Sequence, residues 1–178
     1  MFKNIYNYFS YKNEPIVLKE TYPRKITDYD GGKIDNLKQG KGELTIYNLI
    51  SENEKKFIEK YKGEFYNDMK HGFGELKEKD SLYKGTFTED KKCGSGNLEI
   101  KYTDEFGIHE EDYTGHFFNN LKHGQGKLMS KLIDNEFKIH YEIYVGQFVS
   151  NMKHGSGQLI TENKIIKGAW IENKFHSE

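Results

Sequence analysis

The stretch from Tyr61 to Leu76, YKGEFYNDMKHGFGEL, contains the pattern that decides the fold. An aromatic–glycine–aromatic half is followed by a short polar turn and then by a glycine-x-glycine-x-leucine half. Residues two apart lie on the same face of a β-strand, so the apolar and glycine positions share one face and the charged positions share the other. This alternation predicts two half-buried antiparallel strands joined by a turn.

The same pattern recurs along the chain. Further copies begin at Tyr83, Tyr113 and Tyr144, a weaker copy begins at Tyr29, and a partial copy begins at Ile166. An internal repeat this regular predicts a repeat array and takes precedence over isolated motifs. The chain therefore divides into an N-terminal arm or cap, residues 1–22, and an array, residues 23–178. The predicted repeats lie near 29–44, 61–76, 83–98, 113–128, 144–159 and, in part, 166–176.

Glycine inside a strand weakens it, so its placement needs a reason. Of the 18 glycines, all but Gly32 and Gly107 fall in the repeat frame. A missing side chain leaves a space across which an aromatic ring from an adjoining strand can lie. We therefore assign a structural role to the repeat glycines of the four full copies. These are Gly63, Gly72, Gly74, Gly85, Gly94, Gly96, Gly115, Gly124, Gly126, Gly146, Gly155 and Gly157.

The aromatic positions of the repeats are the candidate partner-binding site. Hydrophobic residues make up 35% of the chain, charged residues 31% and aromatic residues 15%, which suits a thin sheet with one aromatic and one solvated face. We expect that face to be larger than a soluble monomer leaves bare, so the arm, a partner's helix or strand, or a second copy should cover it. The candidate residues are Tyr61, Phe65, Tyr83, Phe87, Tyr113, Phe117, Tyr144, Phe148 and Trp170.

Longer connections separate some of the repeats. The inserts at Thr45–Lys60, Glu99–Asp112 and Met129–Ile143 contain alternating or β-prone residues, so we interpret them as lengthened strands with polar tips. Each insert connects one repeat to the next, which places all of them on the same edge of the sheet. A row of long hairpin tips is a candidate recognition edge.

The N-terminal arm has a different pattern. Phe2, Ile5, Tyr6 and Phe9 follow the i, i+3, i+4, i+7 spacing of one helical face. A helix this short is marginal in water, so it should be stabilised by docking. The alternatives are a cap on the first hairpin, a cover along the aromatic face, and a segment held by a partner.

The recurring histidine does not indicate catalysis or metal binding. His71, His123, His154 and His176 share one repeat position, which Gln39 and Cys93 occupy in the other copies. Equivalent positions in neighbouring hairpins are roughly 9–10 Å apart, whereas a metal ligand lies about 2 Å from its ion. We therefore expect a hydrogen-bonding turn residue, no metal, no cofactor and no enzymatic activity. A single cysteine indicates a reducing, intracellular compartment.

Charge narrows the choice of partners. The net charge of −1, with Arg24 as the one arginine, argues against nucleic acid. The sequence contains no run of about 18 apolar residues, so it predicts no membrane-spanning helix. Lysines could form a weakly cationic row facing an anionic membrane, and this is the alternative to protein binding. The row consists of the pairs Lys55-Lys56 and Lys91-Lys92 together with the turn lysines Lys70, Lys122, Lys153 and Lys174.

The repeated residues resemble the MORN repeat (membrane occupation and recognition nexus), whose pattern is roughly Tyr-x-Gly-x-aromatic, a short turn, and His-Gly-x-Gly-x-Leu. The resemblance extends over about residues 29–176, and the first and last copies are degenerate, as terminal repeats commonly are. It implies an all-β fold, an elongated single-layer antiparallel β-meander of stacked hairpins with the aromatic residues along a groove. It also implies non-catalytic scaffolding through protein contacts in the groove and at the hairpin edges, or peripheral membrane and phosphoinositide binding.

Overall fold

A computed structural model describes residues 24–177, and within that range the fold is all β. Twelve strands form one antiparallel sheet in sequence order, so each consecutive pair is a hairpin. At about 4.8 Å between neighbouring strands the sheet extends roughly 53 Å. The strands are β1 (Arg24–Ile34), β2 (Leu37–Ser51), β3 (Glu54–Tyr66), β4 (Met69–Glu78), β5 (Ser81–Thr88), β6 (Lys91–Asp104), β7 (Gly107–Phe118), β8 (Leu121–Asp134), β9 (Ile139–Val149), β10 (Met152–Thr161), β11 (Ile165–Ile171) and β12 (Lys174–His176).

The predicted single-layer meander is confirmed, and the helical pattern predicted for residues 1–22 lies outside the described residues. The prediction that the inserts are lengthened strands is also confirmed. Strands β2 and β6 contain 15 and 14 residues, whereas β5 contains 8. Short turns therefore line one edge of the sheet, the turn edge. Hairpins of unequal length line the other, the long-hairpin edge.

Aromatic rings of successive repeats form one continuous stack. The ring centroid of Tyr61 is 5.0 Å from that of Phe65 in its own strand and 5.1 Å from that of Phe87 in the next repeat, with interplanar angles of 87° and 84°. Edge-to-face pairs of this kind contribute about 0.5–1.5 kcal/mol beyond the area that they bury. We call the whole series the ring ladder. Its members in order are Tyr29, Phe65, Tyr61, Phe87, Tyr83, Phe117, Tyr113, Phe148, Tyr144, Trp170 and Phe175.

Each ladder tyrosine of a full repeat lies across a pair of glycines. Gly115 and Gly126 face each other in β7 and β8. A Cβ atom on Gly115 would lie 2.5 Å from the hydroxyl oxygen of Tyr113 and 2.6 Å from the Cα of Gly126. Neither the ring nor the neighbouring backbone leaves room for a side chain, so ring packing explains these glycines as predicted.

Four repeat glycines have a different role. Gly72, Gly94, Gly124 and Gly155 have φ angles between 58° and 66°, in the left-handed region that glycine adopts most readily. They lie where the register shifts within each hairpin, next to a β-bulge. The explanation by ring packing is wrong for these positions, because the constraint there is the backbone conformation.

The turns hold neighbouring repeats together. Asn119 and Asn120 both have positive φ, as a tight two-residue hairpin turn requires. The Asn120 side-chain oxygen accepts a hydrogen bond from the Lys92 N–H at 2.8 Å, and the Asn120 N–H donates to the Lys92 carbonyl at 3.0 Å. We call this pair of bonds a turn clamp. The clamps are Lys38–Asp68, Lys70–Asp90, Lys92–Asn120, Lys122–Asn151 and Lys153–Asn173.

Replacing Gly115 with alanine should lower the free energy of unfolding by about 3 kcal/mol, because the new methyl group would overlap both a ring and a backbone. Gly124→Ala in the same hairpin is the matched control. Its Cβ would lie 3.4 Å from the nearest atom, so the cost should be about 1 kcal/mol, from the left-handed φ of 63°. Urea unfolding measures both variants. Equal losses would contradict the role assigned to the ring–glycine contact.

Replacing Asn120 with alanine should destabilise the chain by about 1 kcal/mol more than replacing Asn119, because only Asn120 bonds to the preceding repeat. The two residues share a positive φ of 70° and 47°, so the comparison cancels the strain of the turn. Urea unfolding gives the difference, and amide exchange at Lys92 should become faster in the Asn120 variant alone. Matched stabilities and exchange rates would show that the clamp adds nothing.

Candidate functional site

The residues predicted to line an open groove are buried. Tyr61, Tyr83, Tyr113 and Tyr144 are 0% exposed, and the remaining ring positions are 1–4% exposed. These remaining positions are Phe65, Phe87, Phe117, Phe148 and Trp170. The expectation of a bare aromatic face is therefore wrong. The rings lie edge-on against one another and across the glycines, and so fill the space that a partner's side chains would enter.

The tyrosine hydroxyls are also used inside the sheet. Tyr61 donates to the backbone carbonyl of Glu64 at 2.9 Å, and Tyr113 donates to that of His116 at 2.9 Å. Burial raises the pKa of Tyr61, Tyr83 and Tyr113 to about 12, because a phenolate would lose its hydration there. The tyrosine hydroxyls therefore bond to backbone carbonyls beside the β-bulge of each hairpin and are not available to a ligand.

Lysine side chains cover the ring ladder. The Lys122 side chain is 13% exposed, and its ammonium lies 5.5 Å from the centroid of the Tyr113 ring and 3.3 Å from Glu111 Oε2. A cation over a ring face and beside a carboxylate is stabilised by both. Lys70 and Lys153 make the same pair of contacts, to Tyr61 with Glu59 and to Tyr144 with Glu142.

The predicted cationic row is therefore wrong for half of its eight members. The members that are exposed are Lys55, Lys56, Lys91 and Lys174. Lys92 is covered, with its ammonium 5.2 Å from the centroid of the Tyr83 ring. Lys70, Lys122 and Lys153 lie on the ladder face with 12–13% of the side chain exposed, each paired with a carboxylate. Sequence spacing placed these lysines beside the turns but could not show that each reaches back along the sheet to a glutamate eleven residues earlier.

The histidine position contributes through its backbone and, in two copies, through ring contacts of His71 with Tyr66 and of His123 with Phe118. The carbonyls of His71 and His154 each accept a hydrogen bond from the ladder tyrosine of the same repeat at 3.3 Å. At the same position in the third copy the Cys93 carbonyl accepts a hydrogen bond from the Thr86 hydroxyl instead. Gln39 uses its side chain to accept from the Asn67 N–H, as predicted, but the position lies in a strand, β2, and not in the turn. Within residues 24–177 no three metal-ligating side chains come together.

Two neighbouring hairpin tips on the long-hairpin edge carry exposed phenylalanines. Phe106, between β6 and β7, is 62% exposed, and Phe137, between β8 and β9, is 86% exposed. The Asn135 side chain donates to the Glu105 carbonyl at 2.8 Å and ties the two tips together. Phe137 has a φ of 63°, uncommon for a bulky residue, and strain of this kind is found at functional sites. The expectation that these tips are polar is wrong.

Apolar residues also lie on the strands next to the two tips. Ile108, Ile133 and Ile139 are in register across β7, β8 and β9, and by alternation they lie on the face opposite the ring ladder. Ile139 is 51% exposed. We call these three isoleucines together with Phe106 and Phe137 the tip patch. Sequence reasoning missed it, although the phenylalanines lie within inserts that were already assigned to this edge.

Acidic residues flank the two phenylalanines of the tip patch. Asp104, Glu105, Asp134 and Glu136 flank the two phenylalanines in sequence, with Lys138 as the nearby cation. The Phe106 N–H lowers the pKa of Asp104, and a hydrogen bond from His140 lowers that of Asp134. Both carboxylates are therefore ionised at neutral pH.

A second apolar row follows the turn edge, again on the face opposite the ring ladder. It consists of the residues on either side of each turn, and we call it the turn-edge stripe. Ile34, Tyr66 and Phe118 are 63%, 52% and 58% exposed. The pairs in order are Ile34–Leu37, Tyr66–Met69, Thr88–Lys91, Phe118–Leu121, Val149–Met152 and Ile171–Lys174, so the third pair interrupts the stripe.

Comparison with known proteins identifies the same repeats. The family model of the MORN repeat matches residues 29–48, 61–77, 83–99, 113–131 and 144–164. A search of curated proteins gives no significant match. Among the described residues, no helix has the length and apolarity needed to cross a bilayer. Each matched stretch begins at a ladder tyrosine and contains the turn that follows it, and together the matches cover more than half of the chain. The chain therefore belongs to the MORN-repeat family.

Proposed function

We propose that this chain is a non-catalytic scaffold or assembly subunit that binds a protein partner through the tip patch. The observation that carries the proposal is the exposure of Phe137, at 86%, beside Phe106 on a second tip bonded to the first. Rings held away from the core add nothing to the stability of the sheet. Burying one in a partner would contribute about 1.5–3 kcal/mol.

The geometry of the tips favours binding without rearrangement. The Phe137 N–H donates to the Asp134 carbonyl at 2.9 Å, and the Asp134 N–H donates to the Lys138 carbonyl at 3.0 Å, so the loop that carries the ring is internally bonded. The bond from Asn135 to Glu105 fixes the spacing of the two tips. A surface ordered before binding loses less conformational entropy when the complex forms.

Charge defines the partner's chemistry. Ionised Asp104 and Asp134, which accept hydrogen bonds from His109 and His140, flank the two phenylalanines in sequence together with Glu105 and Glu136. A complementary protein surface would present an apolar pocket for the two rings and a basic rim for the carboxylates. We further propose an intracellular site of action, since Cys93 is a free thiol.

The membrane alternative has weaker support. Four of the eight lysines expected to face anionic lipid are covered and lie beside carboxylates, and the carboxylates around the tips would be repelled by an anionic surface. The exposed rings keep the alternative testable, because aromatic side chains favour the membrane interface.

The double variant Phe106→Ala, Phe137→Ala should weaken binding about 100-fold, the effect expected when two central aromatic anchors are lost. The partner is first captured from source cells by a photo-cross-linker placed at Phe137, and its affinity for the purified chain is then measured. Phe73→Ala is the matched control, because Phe73 is also exposed, at 63%, but lies in β4, away from the patch. The control should retain full affinity.

Unchanged binding by the double variant, with the same urea midpoint as the parent chain, would exclude the tip patch as the protein-binding site. Flotation with phosphatidylcholine vesicles containing phosphatidylserine provides the second arm. Flotation that the same two substitutions abolish would identify a membrane-binding module instead.

A further inference from the structure

The first part of the turn-edge stripe is apolar and bounded by acidic turns. Ile34, Leu37 and Tyr66 are 63%, 40% and 52% exposed, and Met69 lies beside them. The first three turns are Asp35-Asn36, Asn67-Asp68 and Glu89-Asp90, which together contain four carboxylates, and of these Asp68 already pairs with the Lys38 ammonium at 2.9 Å. An occupant of this surface would therefore need one apolar side and a basic flank.

The size of the surface is also defined. Successive hairpins are about 9.6 Å apart, so the distance from the first pair to the interruption at Thr88 and Lys91 is roughly 19 Å. A helix of 13 residues is about 20 Å long. The apolar segment and a short helix therefore match in length.

The chain contains one segment with these properties. Residues 1–13 carry Phe2, Ile5, Tyr6 and Phe9 at the spacing of one helical face, together with Lys3 and Lys12 and no acidic residue. The apolar side chains match the exposed stripe, and the two lysines match the acidic turns.

The intervening chain is long enough to bring the two together. The chain enters β1 at Arg24, on the long-hairpin edge, and β1 is 11 residues long, so the turn edge lies about 34 Å away. Residues 14–23 can span up to about 34 Å when extended. Their maximum reach therefore equals the distance from Arg24 to the first turn.

We propose that residues 1–13 dock in cis, as an amphipathic helix, on the turn-edge stripe of the first two hairpins. Docking covers Ile34, Leu37, Tyr66 and Met69 and places the lysines beside the acidic turns. This surface is on the opposite edge from the tip patch, so the inference does not depend on the proposed partner site. The segment caps the first end of the sheet and leaves the tips free.

Cysteine cross-linking in the full chain tests the docking. In a Cys93→Ser background, Ile5→Cys combined with Leu37→Cys should react with a short bis-maleimide to give an intramolecular link. The control pairs Ile5→Cys with Leu121→Cys, which occupies the same position in the fourth hairpin at 37% exposure, against 40% for Leu37. We expect at least about a tenfold higher yield at Leu37, the selectivity that a docking preference of 1.4 kcal/mol would give.

Charge reversal by Asp35→Lys and Glu89→Lys should reduce the yield at Leu37, because it removes the attraction for Lys3 and Lys12. Equal yields at Leu37 and Leu121 would overturn the proposal. Links between two chains would also overturn it, in favour of a second copy as the occupant. A yield unaffected by charge reversal would contradict the proposed attraction between the two lysines and the acidic turns. Absence of the link, with flotation on phosphatidylserine-containing vesicles, would assign residues 1–13 to a membrane surface.

Discussion

Each ladder tyrosine lies flat across two facing glycines, and this contact sets the conditions for everything else in the sheet. The ring can occupy that position only because no Cβ exists there, as the separation of 2.5 Å between a Cβ built on Gly115 and the Tyr113 hydroxyl oxygen shows. The flat ring then makes perpendicular edge-to-face contacts with two phenylalanines, one from its own repeat and one from the next. One contact therefore packs a repeat internally and also joins it to its neighbour.

A sheet usually buries one face against a second layer. In the described residues the ladder is covered by side chains of the sheet itself, since lysines such as Lys122 lie over the rings and pair with glutamates. The turn clamps then connect the hairpins at the turn edge, where the strands end. The array has a core in a single layer because apolar rings, glycines and paired charges are all arranged along the same strands.

Because of this arrangement, we expect the binding residues to lie outside the positions that define the repeat. Residues that define the repeat are committed to internal contacts, so substitutions such as Tyr61→Ala would test stability rather than binding. The exposed apolar residues lie in the inserts and beside the turns, where one copy differs from another. Phe106 and Phe137 have no equivalents in the short β4–β5 hairpin, so specificity for a partner would come from these variable positions.

The fold could be predicted from the sequence because its signals are local and repeated: the period of two, the turn residues and the glycine frame. The burial of the rings could not be predicted from the sequence, because it depends on contacts between residues in different repeats, such as Tyr61 and Phe87. The clamps depend on partners such as Lys92 and Asn120, 28 residues apart. Their one local signal is that Asp or Asn occupies the second position of every short turn. The tip phenylalanines are visible in the sequence, but the inserts that contain them are predicted to have polar tips, so the pattern does not single them out.

The central claim is that the aromatic ladder is a closed core and not an open groove. Hydroxyl-radical footprinting of the free chain, read by mass spectrometry at each tyrosine, tests it most directly. Tyr61, Tyr83, Tyr113 and Tyr144 should be protected, while Tyr66, Tyr102 and Tyr141, which are 52%, 40% and 42% exposed, should be oxidised readily. Oxidation of the ladder tyrosines at rates comparable with that of Tyr66 would show that the rings are accessible to solvent and would contradict the account.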